Sequence, residues 1–531
     1  MSEFLFYYYP VHPTTWVYLS SLLMIGLFFK FGRFWSMRNL DLVLLILLAP
    51  GLLMVRFGGD ATEKEKQLAR SLGERTGWEG TGGGAAAREV ASPSAGAEGS
   101  GLQEGEKRGE PPAAGGEGQE AAVPGGERAA GADAAETGNA PGEGPTYIGQ
   151  RVQFLGFLWL LAVSAFLLVR LLLDPTMVRR PLLEPNLLPG GLTFIGCSLF
   201  VFLMANVVSS PVTEEDLSGP RSAARLLAGV AEGNDTSAVR RHGPGNALLH
   251  SVPSLATLPL NWRDDESGGE RRFVRTAKAM AIFSHLAIVL GIVGIGYRHF
   301  ENIRMGIGAA TLYLMLPYTA QMTGCVDHVL PAALLVWAVL CYRRPLTAGM
   351  FIGLAAGVIY YPLFLLPLWI SFYWQRGLMR FVCGVLITLA ISVFSLVFVS
   401  TDVADFLAKV QTMFGIWFPV REGLKGVWGL GWDPVFRYPI LAAFVAISGG
   451  MAIWPAQKNL GTLISCSAAV MVATQFWHGY GGGLYMAWYL PLVLLTIFRP
   501  NLEDRVALSV LGEGWFQRRR RGEGHRVEKA A

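Results

Sequence analysis

Apolar residues fall along this chain in long blocks rather than in alternation. A helix that crosses a bilayer needs ~20 mostly apolar residues, and blocks of about that length occupy residues 14–31, 39–56, 152–173, 187–208, 277–297, 304–319, 328–342, 379–399, 438–454, 459–476 and 484–498. The pattern predicts an all-α polytopic transmembrane bundle of about eleven spans. One further block, 346–374, is Gly-rich and broken at Tyr361-Pro362. Its halves are too short to cross separately, so it is expected to form a re-entrant helical hairpin.

The polar stretches between blocks set the sidedness. Lys30, Arg33, Arg38, Arg170, Arg179, Arg180, Arg298, Arg304, Arg343, Arg344, Arg376, Arg380, Lys458 and the arginines from Arg499 onward share one face if the hairpin returns to its starting side. The positive-inside rule makes that face cytoplasmic. The N-terminus is then outside and the C-terminus inside, in the inner membrane of a bacterial host. The opening MSEFLFYYYPVHPTTW lacks a basic region and a cleavage site, so no signal peptide is expected.

This map divides the chain into two N-terminal spans (1–57), an extracytoplasmic insert (58–146), two further spans (147–208), an extracytoplasmic loop (209–276), a membrane core (277–498) and a basic tail (499–531). The insert is Gly, Ala, Glu and Pro with almost no large apolar residue. It cannot offset its ordering entropy by burial and is expected to be a disordered spacer. In the loop, Ser218 is expected to cap a helix carrying Pro220 in its first turn, and residues 247–262 to lie at the interface.

Composition agrees with the pattern, since 52% of residues are hydrophobic and only 16% charged. A net charge of +4 gives no reason to expect nucleic acid as a partner. The run Arg518–Arg521 reads as an anchor to anionic membrane lipid. Cys197, Cys325, Cys341, Cys383 and Cys466 are scattered without disulfide or metal spacing and read as small apolar fillers.

Candidate chemistry gathers at the outer mouths of the spans. Glu214 and Asp216 flank one residue, so both can face one divalent cation, or one can serve as base; a solvated acidic turn before a helix is the plainer alternative. The weaker Asp264, Asp265 and Glu266 read as a solvated turn. Trp417, Trp428 and Trp432 are interleaved with Arg421, Lys425 and Arg437. Aromatic faces stack on sugar rings while these cations hold phosphate oxygens, although an ordinary interfacial belt has the same composition. Asp327 with His328, and His478 with Tyr480 before Gly481–Gly483, complete the candidates. A lone histidine at such a mouth is more often a hydrogen-bonded structural residue.

With those residues in place, the chain resembles the GT-C superfamily of multi-spanning glycosyltransferases, and within it the polyprenol-phosphate-mannose-dependent alpha-mannosyltransferase branch. The resemblance rests on residues 312–376, where a Pro, a polar turn with an Asp, an apolar helix, an Arg-Pro stop, IGLAAG and then YPLFLLPL follow in order, and on LYMAWYLPLVLL near the end. It implies a GT-C-like fold and transfer of a mannose-like sugar from a polyprenyl-phosphate carrier to an extracytoplasmic acceptor. It also implies that Glu214 or Asp216 is the catalytic base. Two departures stand out. The acidic pair follows the fourth expected span rather than the first, and Ile359 stands where the family has a Lys before the Tyr-Pro. Another cation, Arg421, Lys425 or Arg437, must then meet the phosphate. A transporter or flippase of a lipid-linked or small polar solute is the alternative, as is a non-catalytic structural membrane protein. The oligomeric state is not legible.

Overall fold

The computed structural model describes residues 11–75, 147–177, 183–230, 243–257, 268–415 and 423–511. Trp417, Arg421, Arg179, Arg180, the Asp264–Glu266 turn, Arg518–Arg521 and residues 76–146 of the expected insert lie outside the described residues. The chain forms two units, residues 1–62 with 138–531, and residues 63–137. The second is described only as far as Arg75.

The described chain is helical, with only isolated β-bridges beside the helices. In order the helices are α1 (Pro13–Phe28), α2 (Met37–Arg75), α3 (Ile148–Leu173), α4 (Pro189–Ser209), α5 (Glu214–Ala228), α6 (Pro244–Thr257), α7 (Gly268–Arg298), α8 (Ile303–Met315), α9 (Val326–Leu340), α10 (Pro345–Val358), α11 (Leu366–Tyr373), α12 (Leu378–Val397), α13 (Val403–Phe414), α14 (Arg437–Gly450), α15 (Leu460–Trp477) and α16 (Leu490–Phe498), with short helical turns between some of them. Seven helices among the described residues are long and apolar enough to cross a membrane, and they contain seven of the eleven expected spans. The other four blocks form shorter helices. Pro317 ends α8, and Pro491 lies in the first turn of α16, after a 3₁₀ turn at Met486–Trp488.

Two expectations need correction. Residues 58–75 are not disordered but continue α2, because Glu, Lys, Gln, Leu, Arg and Ala in that stretch are strong helix formers that extend an existing helix at little cost. The cap of α5 is Thr213, whose hydroxyl accepts from the Asp216 N–H at 3.4 Å, and not Ser218, which donates to the Glu215 carbonyl inside the helix. Pro220 is likewise interior. Starting at Glu214 puts three carboxylates in the first turn, where the helix dipole favours them.

The Gly-rich hairpin has a packing reason. Gly349, Gly353 and Gly357 recur every fourth residue on the α10 face that meets α12. A methyl group at Gly349 would overlap the Phe381 carbonyl, one at Gly353 the Thr388 hydroxyl, and one at Gly357 the Ser392 hydroxyl. Small residues at this spacing let two helix backbones touch, the usual route to tight packing where both surroundings are apolar. At the far end the Val358 carbonyl accepts from Gly243 N–H at 2.8 Å. The chain turns through Tyr361–Leu365 and runs back as α11, until the Tyr373 hydroxyl donates to the Tyr342 carbonyl at 2.6 Å. The hairpin therefore enters and leaves at one end of the bundle.

Basic loop residues gather at that same end. Lys30 reaches Asn186, Arg304 holds the Pro185 and Leu187 carbonyls, Arg376 holds those of Leu508 and Leu511, and Arg505 pairs with Glu301. At the opposite end α5 and α6 pack on each other, with Gly219 of α5 against the His250 ring of α6. Helix α6 also packs against α7, α10 and α12, so the expected loop is a folded cap.

Candidate active site

Four separate stretches meet at the α5 end: the start of α5, the turn before α9, the segment after residue 422, and the Gly-rich stretch after α15. The first two meet at Asp216, whose carboxylate accepts from Thr213 Oγ1 at 2.6 Å and from the Val326 N–H at the start of α9. Burial, and then the nearby charges of Asp327 and Glu215, push Asp216 up from 3.8 to about 6, against the pull of those hydrogen bonds. The Asp327 carbonyl accepts from the Trp488 indole N–H at 3.1 Å, which ties this turn to the last aromatic stretch.

The other two stretches join through backbone. Lys425 N–H donates to the Gly479 carbonyl at 2.9 Å, and Gly481 N–H donates to the Lys425 carbonyl at 3.2 Å. Gly426 and Gly481 both adopt positive φ, 72° and 84°, and a Cβ on Gly426 would lie 2.8 Å from the Gly481 Cα. Only glycine fits this approach without strain. The result places the Lys425 ammonium 3.2 Å from Glu215 of α5, with both side chains about half exposed. Such a pair contributes ~0–1 kcal/mol, so Lys425 can be recruited by a more highly charged anion.

An aromatic wall stands between these groups. His328 receives or gives a 2.6 Å hydrogen bond with the Tyr318 hydroxyl and stacks on Tyr485 at 4.4 Å. Tyr485 packs on His478 and Trp488, both at 4.5 Å between ring centres, and His478 lies 5.1 Å from Tyr361, which in turn meets Trp477 at 5.3 Å. His478 is buried, and its Nδ1 accepts the Tyr480 N–H at 3.2 Å. Burial, followed by the Arg437 charge, lowers it to about 3, so it is neutral, carries its proton on Nε2 and acts here as a structural brace. Trp428 is buried beside the half-exposed Trp432, 5.6 Å away. The buried indole N–H groups of Trp428 and Trp477 have no hydrogen-bond partner among the described residues.

The candidates therefore divide. Asp216, Asp327, His328, Lys425, Trp428, Trp432, His478 and Tyr480 belong to this end of the bundle. Glu214 is largely exposed and pairs with Arg221 of its own helix at 2.7 Å, apart from the Lys425 contact. Arg437 is buried, with Nε donating to the Trp477 carbonyl at 3.1 Å and its guanidinium against Gly479; it supports the Gly-rich stretch from beneath. Sequence reasoning did not single out Glu215, Tyr361, Tyr485 or Trp488. The last three were visible only as the YP break and the LYMAWYL string.

Among the described residues, no three His, Cys, Asp or Glu side chains converge as a metal site. Comparison of the chain with models of known families, with curated proteins and with solved structures found no match.

Proposed function

We propose that the protein is an integral-membrane glycosyltransferase that moves a mannose-like sugar from a polyprenyl-phosphate carrier onto an extracytoplasmic acceptor. The observation that carries this reading is Asp216, a carboxylate raised to about 6 beside an aromatic wall and within the same cap as an exchangeable lysine. A base with that midpoint is ionised at neutral pH yet holds a proton far better than an ordinary aspartate, which suits general-base work. Asp216 takes the proton of an acceptor hydroxyl as its oxygen attacks the anomeric carbon. The bond from that carbon to the phosphate oxygen breaks, and the carrier leaves as polyprenyl phosphate with inversion at the sugar. Lys425 releases Glu215 and holds the carrier's phosphate, in the bound substrate as in the leaving group. The tyrosine and tryptophan faces hold the sugar ring.

In this reading the α5 end faces outward and the arginine-rich end faces the cytoplasm, as the positive-inside rule requires. The test is transfer of labelled mannose from polyprenyl-phosphate mannose into a host membrane extract by proteoliposomes. Asp216→Asn is expected to lower turnover by about 10²–10⁴-fold, whereas Glu214→Ala stays within about threefold of the parent, because an exposed surface pair contributes little. Equal activity in Asp216→Asn and the parent would remove this carboxylate from the mechanism.

A further inference from the structure

A second built site lies at the arginine-rich end, far from the aromatic wall. The turn between α1 and α2, residues 29–36, lies against residues 183–186 and leaves a cleft of about 470 Å³. Lys30, Arg33 and the buried Arg38 line it with one carboxylate, Glu184, so its described lining is rich in cations.

Two asparagines hold this turn in shape. Asn39 is buried, and its Nδ2 donates to the carbonyls of Lys30, Arg33 and Phe34 at 3.0, 3.0 and 3.2 Å, while its Oδ1 accepts from the Lys30 N–H at 3.2 Å. From the other wall, Asn186 Nδ2 donates to the Gly26 carbonyl at 2.9 Å, and its Oδ1 accepts from Lys30 Nζ at 2.8 Å. The cations thus sit on a backbone already fixed, so a ligand need not order the turn when it binds.

What surrounds the cleft identifies the ligand's other half. Phe31, Phe34 and Trp35 are 72%, 58% and 94% exposed, next to a charged cleft and on a short connection between two apolar helices. Exposed aromatic rings beside basic residues at helix ends suit the headgroup level of a bilayer. We infer that this cleft binds the phosphodiester headgroup of an anionic phospholipid of the phosphatidylglycerol type, with Lys30 and Arg33 on the phosphate and the aromatic apron against the glycerol and upper acyl chains. The charge excess selects anionic over zwitterionic lipid, and the apron selects lipid over free phosphate.

The test uses the full chain, stripped of lipid in detergent and then equilibrated with equal amounts of phosphatidylglycerol and phosphatidylcholine, washed and extracted. Retained phosphatidylglycerol is expected to exceed phosphatidylcholine by about tenfold and to fall about fivefold in Arg33→Gln, the equivalent of ~1 kcal/mol for one basic group at a membrane surface. Arg33→Gln leaves the backbone carbonyl held by Asn39 in place, and an unchanged melting temperature without lipid separates lost binding from lost folding. Lys30→Gln is the second variant, with a similar loss expected. Equal retention of the two lipids, or retention unchanged in both variants, overturns the proposal. So does full displacement by millimolar glycerol phosphate, which would make the cleft a site for soluble phosphates.

Discussion

Two groups of charges sit at opposite ends of α15, and they are built on opposite principles. At the arginine-rich end, Arg170 donates to both oxygens of Asp41 at 2.9 and 3.0 Å and to Asp174 at 2.9 Å, and Asp174 also accepts from Arg499 at 2.6 Å. All four side chains are at most 8% exposed, and two positive charges meet two negative ones. At the other end Glu215 and Asp327 lie close enough to Asp216 to raise its pKa, and the ion pair between Glu215 and Lys425 is about half exposed. Removing one partner from a buried network strands a charge in a poor solvent, which costs about 3–5 kcal/mol. Removing a carboxylate from the acid-rich cluster relieves repulsion instead. The first group is built to hold helices together; under the proposed function the second keeps a carboxylate ready to accept a proton.

The strongest way to break this comparison is to exchange the signatures. Asp216→Asn loses transfer by the 10²–10⁴-fold given above and melts no lower than the parent in detergent. Asp174→Asn does the reverse, losing about 3–5 kcal/mol of stability while turnover per folded molecule is kept. Thermal unfolding alongside transfer, on the same preparations, checks both. If Asp174→Asn melted with the parent, the buried network would not be the clamp described.

A smaller effect sharpens the role of Lys425. Replacing it with Gln should raise the KM for the carrier lipid by about 10-fold, the value of one charge-assisted contact to phosphate. Glu215→Gln, which frees the lysine, should lower KM or leave it unchanged. A KM for Glu215→Gln as high as that of Lys425→Gln would argue that the pair is only structural.

The smallest expected effect is in pH dependence. Asp216 must be ionised to accept a proton, so activity rises with pH through about 6 and is flat above. Asp327→Asn removes a neighbouring negative charge and is expected to move that midpoint down by about half a unit to one unit. For stability the sign is opposite. A carboxyl raised on folding favours the folded state most below its unfolded value of 3.8, and this contribution is lost as pH rises through about 6. The Asp216→Asn variant should therefore lose less stability than the parent between pH 4 and pH 7.

Much of this architecture was legible because apolar block length is a strong signal. The hairpin break at Tyr361-Pro362 and the seven long helices follow from residue order alone. Asp216, Asp327 and Lys425, three of the expected charged candidates, do lie at the α5 end. Long-range pairing was not legible. Arg170 reads in sequence as one more basic loop residue, and nothing local reveals that Asp41 pairs with it or that Arg499 reaches Asp174 beside it. Nor does the triplet Glu214, Glu215 and Asp216 say which carboxylate faces inward. That depends on where α5 starts, and Thr213 outcompeted Ser218 as cap because its position gathers all three acids into the first turn. Arg437 resembled a surface cation for the same reason that Arg170 did.

The central claim is that the acid-rich end handles a lipid-linked sugar. Native mass spectrometry of the gently purified full chain tests this most directly, with Lys425→Ala beside it. A bound polyprenyl phosphate or its glycosylated form is expected on the parent protein, weakened in the variant. A spectrum carrying only bulk phospholipid, even after polyprenyl phosphate is added, would contradict it.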